Sequence, residues 1–371
     1  MNPLLQDYSE AAAETQLAAK RERLTGMLQP FGAPDPEVHP SPHVHYRQRA
    51  EFRVWHEGDG IHYLMFGGKD GSEPLRLAQF PTASRRINAL MRDIAAEMAQ
   101  DRVLRARLFQ IEFLDTLAGE SLVTLIYHRT LDDAWQAAAT ALAERLAVGI
   151  IGRSRGQRVV IGRDWVTERL PVNGRTLAYR QPEGSFTQPN AEVNRAMLAW
   201  AMRACDGSET RDLLELYCGI GNFTVALAPG FRRVLATEIG AGAIAAARHN
   251  LAENGIDNTF VARLSSAEAA SAMARDRPFR RLRGFDLEDF HPQVLLVDPP
   301  RAGMDDDTRA LAARFERIVY VSCNPDTLCR DIAALGGAYR VSRTALFDQF
   351  PYTPHMECGV VLHRSTRGDA P

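Results

Sequence analysis

The chain is poor in cysteine and has no long apolar run. Its 371 residues include five cysteines, all in the C-terminal half: Cys205, Cys218, Cys323, Cys329 and Cys358. An odd number at these spacings argues against a disulfide framework and against the close pairing that binds zinc. No apolar stretch reaches the roughly 20 residues that a membrane-spanning helix requires. We therefore expect a cytoplasmic protein whose thiols are reduced.

Neither sign of charge dominates the composition. The 44 Lys and Arg residues nearly balance the 46 Asp and Glu residues, and the formal net charge is −2. This balance excludes a uniformly basic protein, yet a local basic face would still allow nucleic-acid binding. One such segment is ARDRPFRRLRGF (274–285), in which five arginines accompany one aspartate.

Three parts with different patterns follow one another along the chain. Residues 1–30 have acids early and lack the apolar core of an export signal, so they predict a helix. Residues 31–180 predict a smaller α+β domain, with a hairpin over 49–66 whose turn is EGDG. From 181 to 371, helices alternate with near-continuous apolar strands such as DLLELY, RVLATE and QVLLVD. That alternation predicts a doubly wound α/β catalytic domain with a Rossmann-like parallel sheet covered on both faces.

The segment LLELYCGIGNFTVALA predicts a strand, a glycine turn and a helix that together bind a cofactor. Gly219 and Gly221 would let a ligand approach the backbone at the helix N-terminus. Glu238, at the end of the next strand, is placed to accept hydrogen bonds from ribose hydroxyls. Thr224 stands where a dinucleotide fingerprint requires Gly or Ala, and the acidic Glu215 in the strand suits a cationic ligand. These features favour S-adenosylmethionine (SAM) over a dinucleotide.

Cys323 stands between a buried strand and a helix in VYVSCNPDTLCRDI. Asn324 and Pro325 are typical of the N-cap and the first position of that helix. A helix N-terminus and a nearby cation both lower the pKa of a thiol. Arg301, in the strand-ending VDPPRAGM, is the candidate cation, because the carboxyl ends of parallel strands face one crevice. We therefore expect Cys323 to be an ionised nucleophile.

A thiolate and a methyl donor in one cleft indicate methylation at carbon 5 of a pyrimidine. Carbon 5 is too electron-poor to attack a methyl sulfonium until a nucleophile has added at carbon 6. A base must then remove the proton from carbon 5 so that the thiolate can leave. Glu357, directly before the last strand, is the candidate base, and His355 is the competing one. The carboxylate is favoured because the cleft already holds cations.

Three motifs resemble signatures of the RNA uracil-5-methyltransferases: DPPRAG, SCNPDT and FDQFPYTPHME. The resemblance extends over nearly the whole chain and includes YRQRAEFRVWH and SFTQPN. It implies a SAM-dependent enzyme that forms ribothymidine in the T-loop of tRNA and that also acts on the similar loop of transfer-messenger RNA. Members that modify ribosomal RNA carry an N-terminal iron–sulfur cluster. Because this chain has no cysteine before Cys205, the tRNA branch is favoured, with neither a cluster nor a metal.

The resemblance also implies roles for individual residues. Cys323 corresponds to the nucleophile, Glu357 to the proton acceptor, and Arg301 to a residue near the target base that would stabilise the enolate oxygen. The SAM-site positions correspond to Gln188, Tyr217, Asn222, Glu238 and Asp298, with Gly219 and Gly221 in the turn.

RNA contacts are expected from an alternating strand, which makes the α+β domain of residues 31–180 the predicted RNA-binding domain, and from the arginine-rich segment. In RAEFRVWHE (49–57), Arg49, Arg53 and Trp55 alternate with apolar residues, which presents them on one face of a strand. Stacking and phosphate contact are how proteins hold single-stranded loops. Arg280 and Arg281 of the arginine-rich segment are the other candidates for phosphate contact. Because a stacked base cannot reach the nucleophile, we expect the target uridine to flip out of its stack.

Other classes remain as alternatives on residue types alone. A dinucleotide-dependent oxidoreductase conflicts with Thr224 and lacks a hydride-handling group. A non-catalytic RNA-binding protein would not need both Cys323 and Glu357. An exocyclic-amine methyltransferase would share a DPPR-like strand end but would need no thiolate. Cytosine-5 methyltransferases use similar covalent chemistry, and the signature motifs are what argue against them.

Overall fold

The structure, a computed structural model, describes residues 6–67 and 73–365. The strands within these ranges are β1 (Glu37–His39), β2 (Arg49–Glu57), β3 (Gly60–Gly67), β4 (Glu73–Leu77), β5 (Leu108–Asp115), β6 (Ser121–Tyr127), β7 (Gly149–Ser154), β8 (Gln157–Ile161), β9 (Trp165–Val172), β10 (Arg175–Pro182), β11 (Asp212–Leu216), β12 (Arg233–Glu238), β13 (Thr259–Arg263), β14 (Pro292–Val297), β15 (Arg317–Ser322), β16 (Tyr339–Phe347) and β17 (Glu357–Arg364). The α-helices are α1 (Glu10–Leu28), α2 (Arg85–Gln100), α3 (Arg102–Arg105), α4 (Asp133–Leu146), α5 (Ala191–Ala204), α6 (Asn222–Leu227), α7 (Ala241–Glu253), α8 (Ser266–Ala274), α9 (Asp306–Ala312) and α10 (Pro325–Leu335). No helix in the described ranges combines the length and the apolar character of a membrane span.

Eight strands form one sheet in the order β1-β16-β17-β15-β14-β11-β12-β13. The strands from β11 to β15 are parallel, and β17 runs antiparallel to both β15 and β16. The chain moves outward from β11 to β13 and resumes at β14 on the other side of β11, so the winding direction switches there. Successive residues such as Leu213 and Leu214 enter separate apolar cores on the two faces. The predicted doubly wound sheet is confirmed, and its ligand crevice lies at the carboxyl ends of these strands.

A second sheet of seven strands has the order β4-β3-β2-β5-β6-β7-β8. Helices α2 and α4 pack against it, and Phe52, Leu90 and Trp135 share the resulting apolar core. The predicted hairpin is confirmed, because β2 pairs with β3 and Glu57 lies opposite Gly60.

The parts of the chain that precede and follow the seven-stranded sheet in sequence pack against the eight-stranded sheet. The predicted N-terminal helix is confirmed as α1, and its Leu24 and Leu28 share a core with Leu328 of α10. Strand β1 pairs with β16, and the β9–β10 hairpin places Leu170 and Tyr179 in the core beside α5. The predicted boundaries at residues 30 and 180 stay a prediction. Residues 1–5 and 366–371 of the predicted outer parts lie outside the described residues.

Gly359 in β17 is expected to tolerate no side chain. An added Cβ would lie 2.7 Å and 2.8 Å from ring atoms of the fully buried Trp200. Overpacking of this kind costs about 1–3 kcal/mol, so Gly359→Ala should lower the free energy of unfolding by that amount in urea titrations. Gly337→Ala is the matched control, because no atom lies within 4 Å of its added Cβ, and it should change stability by less than about 0.5 kcal/mol. Equal midpoints for the two variants would contradict the close packing of β17 on α5.

Candidate active site

The turn between β11 and α6 forms a groove at the carboxyl edge of the eight-stranded sheet. Tyr217, Gly219 and Gly221 have positive φ angles of 61°, 55° and 84°. An added Cβ on Gly221 would contact Ala247 at 3.5 Å, whereas one on Gly219 would meet no atom within 4 Å. Open space therefore lies over Gly219, where a ligand has room to approach the backbone.

Glu238 is tied to the same turn from the end of β12. Its carboxylate accepts backbone N–H bonds from Gly219 at 3.1 Å, Ile239 at 2.8 Å and Gly240 at 2.7 Å. An ionised carboxylate has about four acceptor positions, so one remains for a further donor such as a ribose hydroxyl. The side chain of Ile239 next to it is exposed and adds an apolar surface beside this carboxylate.

Two amide pairs orient two of the predicted cofactor residues. Asn222 exchanges two hydrogen bonds of 2.9 Å with Asn194 of α5. Gln349 donates to the Oε1 atom of Gln188 at 3.1 Å, and no acceptor within residues 6–67 and 73–365 pairs with the two N–H donors of Gln188, which leaves them for a ligand. Sequence reasoning missed Asn194 and Gln349, because their partners are 28 and 161 residues away along the chain.

Glu215 does not provide the negative charge that its position in the sequence suggested. Its side chain is buried within β11, and burial raises the pKa of the Glu215 carboxyl to about 8 despite the neighbouring Thr224 hydroxyl. The group is therefore mostly protonated at neutral pH when no ligand is bound. The argument from Glu215 to a cationic ligand is wrong for this state of the protein.

Cys323 and Glu357 meet through the pairing of β15 with β17. Ser322, the last residue of β15, lies opposite Cys358 in this antiparallel pair. Cys323 follows Ser322 and Glu357 precedes Cys358, so the two are neighbours across the pair. Cys323 is half-buried and Glu357 is buried. Asp298 follows β14, the strand adjacent to β15, and its charge acts on both residues. The structure thus brings these three predicted site residues into one corner of the crevice.

Asn324 ties the DPPR turn to the start of α10. Its side chain accepts a hydrogen bond from the Asp326 backbone N–H at 3.2 Å, which confirms the predicted N-cap. Its amide also donates to the carbonyl oxygen of Arg301 at 3.0 Å. The Arg301 side chain is exposed, and its charge lowers the pKa of Cys323.

The prediction of an ionised Cys323 is wrong for the protein without ligands. Burial, together with the nearby Glu357 and Asp298 carboxyl groups, raises the pKa of the Cys323 thiol to about 11, and Arg301 does not compensate. Burial also raises the pKa of Asp298 to about 7. Burial and the Asp298 charge raise the pKa of Glu357 well above its usual range. The thiol therefore keeps its proton at neutral pH, and the Glu357 carboxyl is harder to ionise than an exposed one, until an entering charge or substrate changes their surroundings.

The raised thiol pKa predicts the pH dependence of alkylation. Only the thiolate reacts, so the rate of Cys323 labelling by iodoacetamide should rise about tenfold per pH unit between pH 7 and 9, without a plateau. Peptide mass spectrometry after timed labelling measures this rate at Cys323 alone. Glutathione, whose thiol pKa is ordinary, is the reference and should begin to level off near pH 9. A plateau for Cys323 at or below pH 8 would instead show that the thiol is already ionised near neutral pH in the protein without ligands.

Known proteins are similar to this chain in sequence and in fold. Residues 12–365 match the tRNA (Uracil-5-)-methyltransferase family. The chain belongs to this family. It is 56% identical over 357 residues to a tRNA/tmRNA (uracil-C(5))-methyltransferase of Pseudomonas entomophila, a match that covers 96% of this chain and 99% of that one. A protein of the same description from Pseudomonas aeruginosa is 55% identical over 359 residues, with 96% and 98% covered.

The fold of this methyltransferase is similar to a crystal structure from Pyrococcus abyssi. That structure is of a tRNA (uracil-54, C5)-methyltransferase in complex with S-adenosyl-L-homocysteine. The TM-score is 0.68 at 23% identity, and the match covers 94% of this chain and 83% of that chain. At this identity the likeness concerns the fold alone. Within residues 6–67 and 73–365, no cluster of three or more His, Cys, Asp and Glu side chains is arranged to hold a metal.

The methyltransferase carries its first group of predicted RNA contacts on β2. The alternation is confirmed, since Arg53 and Trp55 are exposed while Phe52 is buried, and Trp55 is 50% exposed. The Arg53 guanidinium lies 4.0 Å from the ring centre of Phe109, and Arg49 donates to the carbonyl oxygen of residue 185 at 2.9 Å. Arg49 thus joins β2 to the SFTQPN segment, in which Phe186 is 71% exposed.

A cavity of about 450 Å³ lies between β2 and the loop that precedes β17. Its wall includes Tyr46, Glu51, Arg53, Phe66 and Tyr352. The exposed side of β2 therefore opens toward the same loop that leads to the predicted base, Glu357.

Arg280 and Arg281 lie elsewhere in the methyltransferase. Arg281 forms an ion pair with Glu268 at 3.0 Å and donates to the carbonyl oxygen of Arg263 at the end of β13. Strand β13 is the edge of the sheet, four strands from β15, or about 19 Å at the usual strand spacing. Phe285 and the buried Leu282 belong to the apolar core on this side. The segment covers an open sheet edge, and the structure does not bring its arginines together with Cys323.

Proposed function

We propose that this enzyme transfers a methyl group from SAM to carbon 5 of a uridine in the tRNA T-loop, forming ribothymidine. The observation that carries the proposal is the neighbouring placement of Cys323 and Glu357 beside Asp298, at the edge where the glycine turn opens. Relatives at 55–56% identity are described as acting on tRNA and tmRNA, which supports both RNAs as substrates and a cytoplasmic location for the reaction.

The residues around the glycine turn fit SAM. Gly219 leaves open space, Glu238 has an acceptor position left for a ribose hydroxyl, and Gln188 has two N–H donors left. Tyr217, Asn222 and Asp298 complete the proposed set around the turn. SAM supplies the methyl group and a positive sulfonium charge. A positive charge near Asp298 would lower the pKa of the buried acids and of the Cys323 thiol, which offsets the effect of burial.

In the proposed reaction, the Cys323 thiol loses its proton to solvent and its sulfur bonds to carbon 6 of the uracil. The electron pair of the 5,6 double bond moves into an enolate, whose oxygen Arg301 would stabilise. Carbon 5 then bonds to the methyl group supplied by bound SAM, whose carbon–sulfur bond would break to leave the neutral thioether S-adenosyl-L-homocysteine. Ionised Glu357 removes the proton from carbon 5, the double bond re-forms, and the sulfur leaves carbon 6 as a thiolate. One proton is released to solvent in each cycle.

RNA binding is proposed for the exposed side of β2. Arg49 and Arg53 supply positive charge, and Trp55 supplies a stacking surface of the type that holds unpaired bases. A uridine must leave its stack to reach the half-buried Cys323, so base flipping is part of the proposal. Arg280 and Arg281 are retained as more distant candidates for phosphate contact, because they are exposed.

Trapping with 5-fluorouridine tests the proposal directly. A T-arm RNA that carries fluorine at carbon 5 of the target uridine leaves Glu357 no proton to remove after methyl transfer. With SAM labelled in its methyl group, a labelled RNA–protein band should therefore appear on a denaturing gel. The same RNA with fluorouridine at another loop position is the control and should give no band. The proposal is wrong if the RNA with fluorine at the target uridine binds the protein but gives no covalent band. It is also wrong if that RNA is methylated without a covalent band.

A further inference from the structure

Lysine is almost absent from this protein, and one of its two lysines is buried. The 44 basic residues comprise Lys20, Lys69 and 42 arginines. Lys69 lies outside the described residues, whereas the Lys20 side chain is only 5% exposed on the inward side of α1. A compact ammonium group fits a small buried site where a planar guanidinium would need more room and more acceptors.

Lys20 binds the start of the loop that leads to Glu357. Its Nζ atom donates to Asp348 Oδ1 at 2.7 Å and to the Phe350 carbonyl oxygen at 2.8 Å. Asp348 is only 4% exposed, so both charges of this pair are removed from water. A buried charge needs a partner of opposite sign, which makes this pair a fixed point between α1 and the loop.

Other contacts from the first 46 residues hold the same loop. The Tyr352 backbone N–H donates to the side-chain oxygen of Gln16 in α1. The Tyr46 hydroxyl donates to the Pro351 carbonyl oxygen at 3.2 Å. The Asp348 backbone N–H donates to the carbonyl oxygen of residue 39 in β1 at 3.0 Å. Residues 348–356 are therefore fixed largely by segments that are distant in sequence.

The loop adjoins the proposed base but not the nucleophile, so it can act on Glu357 from the side that is not held by the pairing of Glu357 with Phe347 of β16. Glu357 is the first residue of β17 and directly follows the loop, whereas Cys323 is held between β15 and α10. A displaced loop would therefore move the carboxylate relative to carbon 5 while leaving the sulfur in place. Displacements of about 1 Å in such geometries cost on the order of 100-fold in rate.

We infer that Lys20 is a positioning residue, and that its ion pair with Asp348 aligns the 348–356 loop so that Glu357 faces the proton on carbon 5. The inference rests on the proposed function, because it assigns Lys20 to one step of that reaction. Loss of the pair should slow proton removal and adduct breakdown. Addition of Cys323 to the uracil and the KM for SAM should change little.

A double variant separates positioning from folding. Lys20→Met alone leaves an unpaired buried carboxylate and is expected to destabilise the chain, whereas Lys20→Met with Asp348→Asn leaves no unpaired charge. Rapid-quench single turnovers with ordinary T-arm RNA, run on denaturing gels, give the rates of adduct formation and breakdown. For the double variant we expect formation within about threefold of the unmodified protein and breakdown at least about tenfold slower. The adduct should then accumulate without fluorouridine.

The matched control is Arg21→Met, one residue further along α1. It removes an exposed ion pair with Asp35 at 3.7 Å and should leave both rates unchanged. Breakdown at the normal rate in the double variant would overturn the inference, and so would an equal loss in both rates or a double variant that circular dichroism shows to be unfolded. Failure of the proposed function looks different, because the unmodified protein would then form no band with fluorouridine RNA.

Discussion

Methylation of T-arm RNA by the Cys323→Ala variant is expected to fall by on the order of 10⁴-fold or more. Without the sulfur, carbon 6 receives no nucleophile, carbon 5 stays electron-poor, and the remaining site offers only binding. The covalent band on fluorouridine RNA should disappear as well. Transfer of labelled methyl from SAM, followed over hours with excess enzyme, measures the residual rate.

Two control measurements distinguish loss of the nucleophile from misfolding of the Cys323→Ala variant. The affinity for SAM, measured by calorimetry, should change by less than about threefold, because no contact proposed for SAM involves Cys323. Cys329→Ala is the matched control, since Cys329 is a half-buried thiol six residues further on, in α10, and its sulfur approaches the Met27 carbonyl oxygen at 3.6 Å. That variant should methylate normally. Methylation that survives in Cys323→Ala would remove the nucleophile from the mechanism.

The Glu357→Gln variant is expected to accumulate the covalent adduct on ordinary uridine RNA. In the proposed reaction, addition and methyl transfer precede the step that needs the base, so only breakdown should slow, by about 10²–10⁴-fold. Burial raises the pKa of Glu357, which makes its charged form costly, so a neutral amide of the same size should fold with little loss. Gel analysis of the adduct and a thermal melt measure the two effects in one preparation.

His355 provides the control for the identity of the base. The His355 side chain is largely exposed. The part of it that is buried, together with the charges of Arg301 and Lys20, lowers its pKa. His355→Gln should therefore retain turnover within about threefold and accumulate no adduct. If the histidine variant accumulates the adduct while Glu357→Gln turns over rapidly, the base is His355.

Much of the fold was predictable because parallel strands buried on both faces leave continuous apolar runs in the sequence. The predicted strands RVLATE, QVLLVD and RIVYVS correspond to β12, β14 and β15. The β9–β10 hairpin was missed, although Asn173 and Gly174 between alternating strands favour such a turn and have positive φ angles of 47° and 78°. The pairing of β1 with β16 had no local signal, because three residues carry no readable pattern.

The candidate site was predictable in its members but not in its charge state. The cap at Asn324 and the residue types in SCNPDT are local features, and they indicated a reactive cysteine. The effect of Glu357 and Asp298 on Cys323 depends on the register of β15 against β17 and on burial. Neither is visible in a linear chain, so the helix terminus and Arg301 received too much weight.

The contact between Lys20 and Asp348 also constrains how the protein is made. These residues are 328 positions apart, so at the usual 5–20 residues per second a ribosome needs about 16 to 66 s to deliver the second after the first. During that time α1 is synthesised but has no Asp348 to pair with. It buries only Lys20, Leu24 and Leu28 in the finished molecule, and the sparse apolar surface of this helix suits a segment that emerges early and docks last.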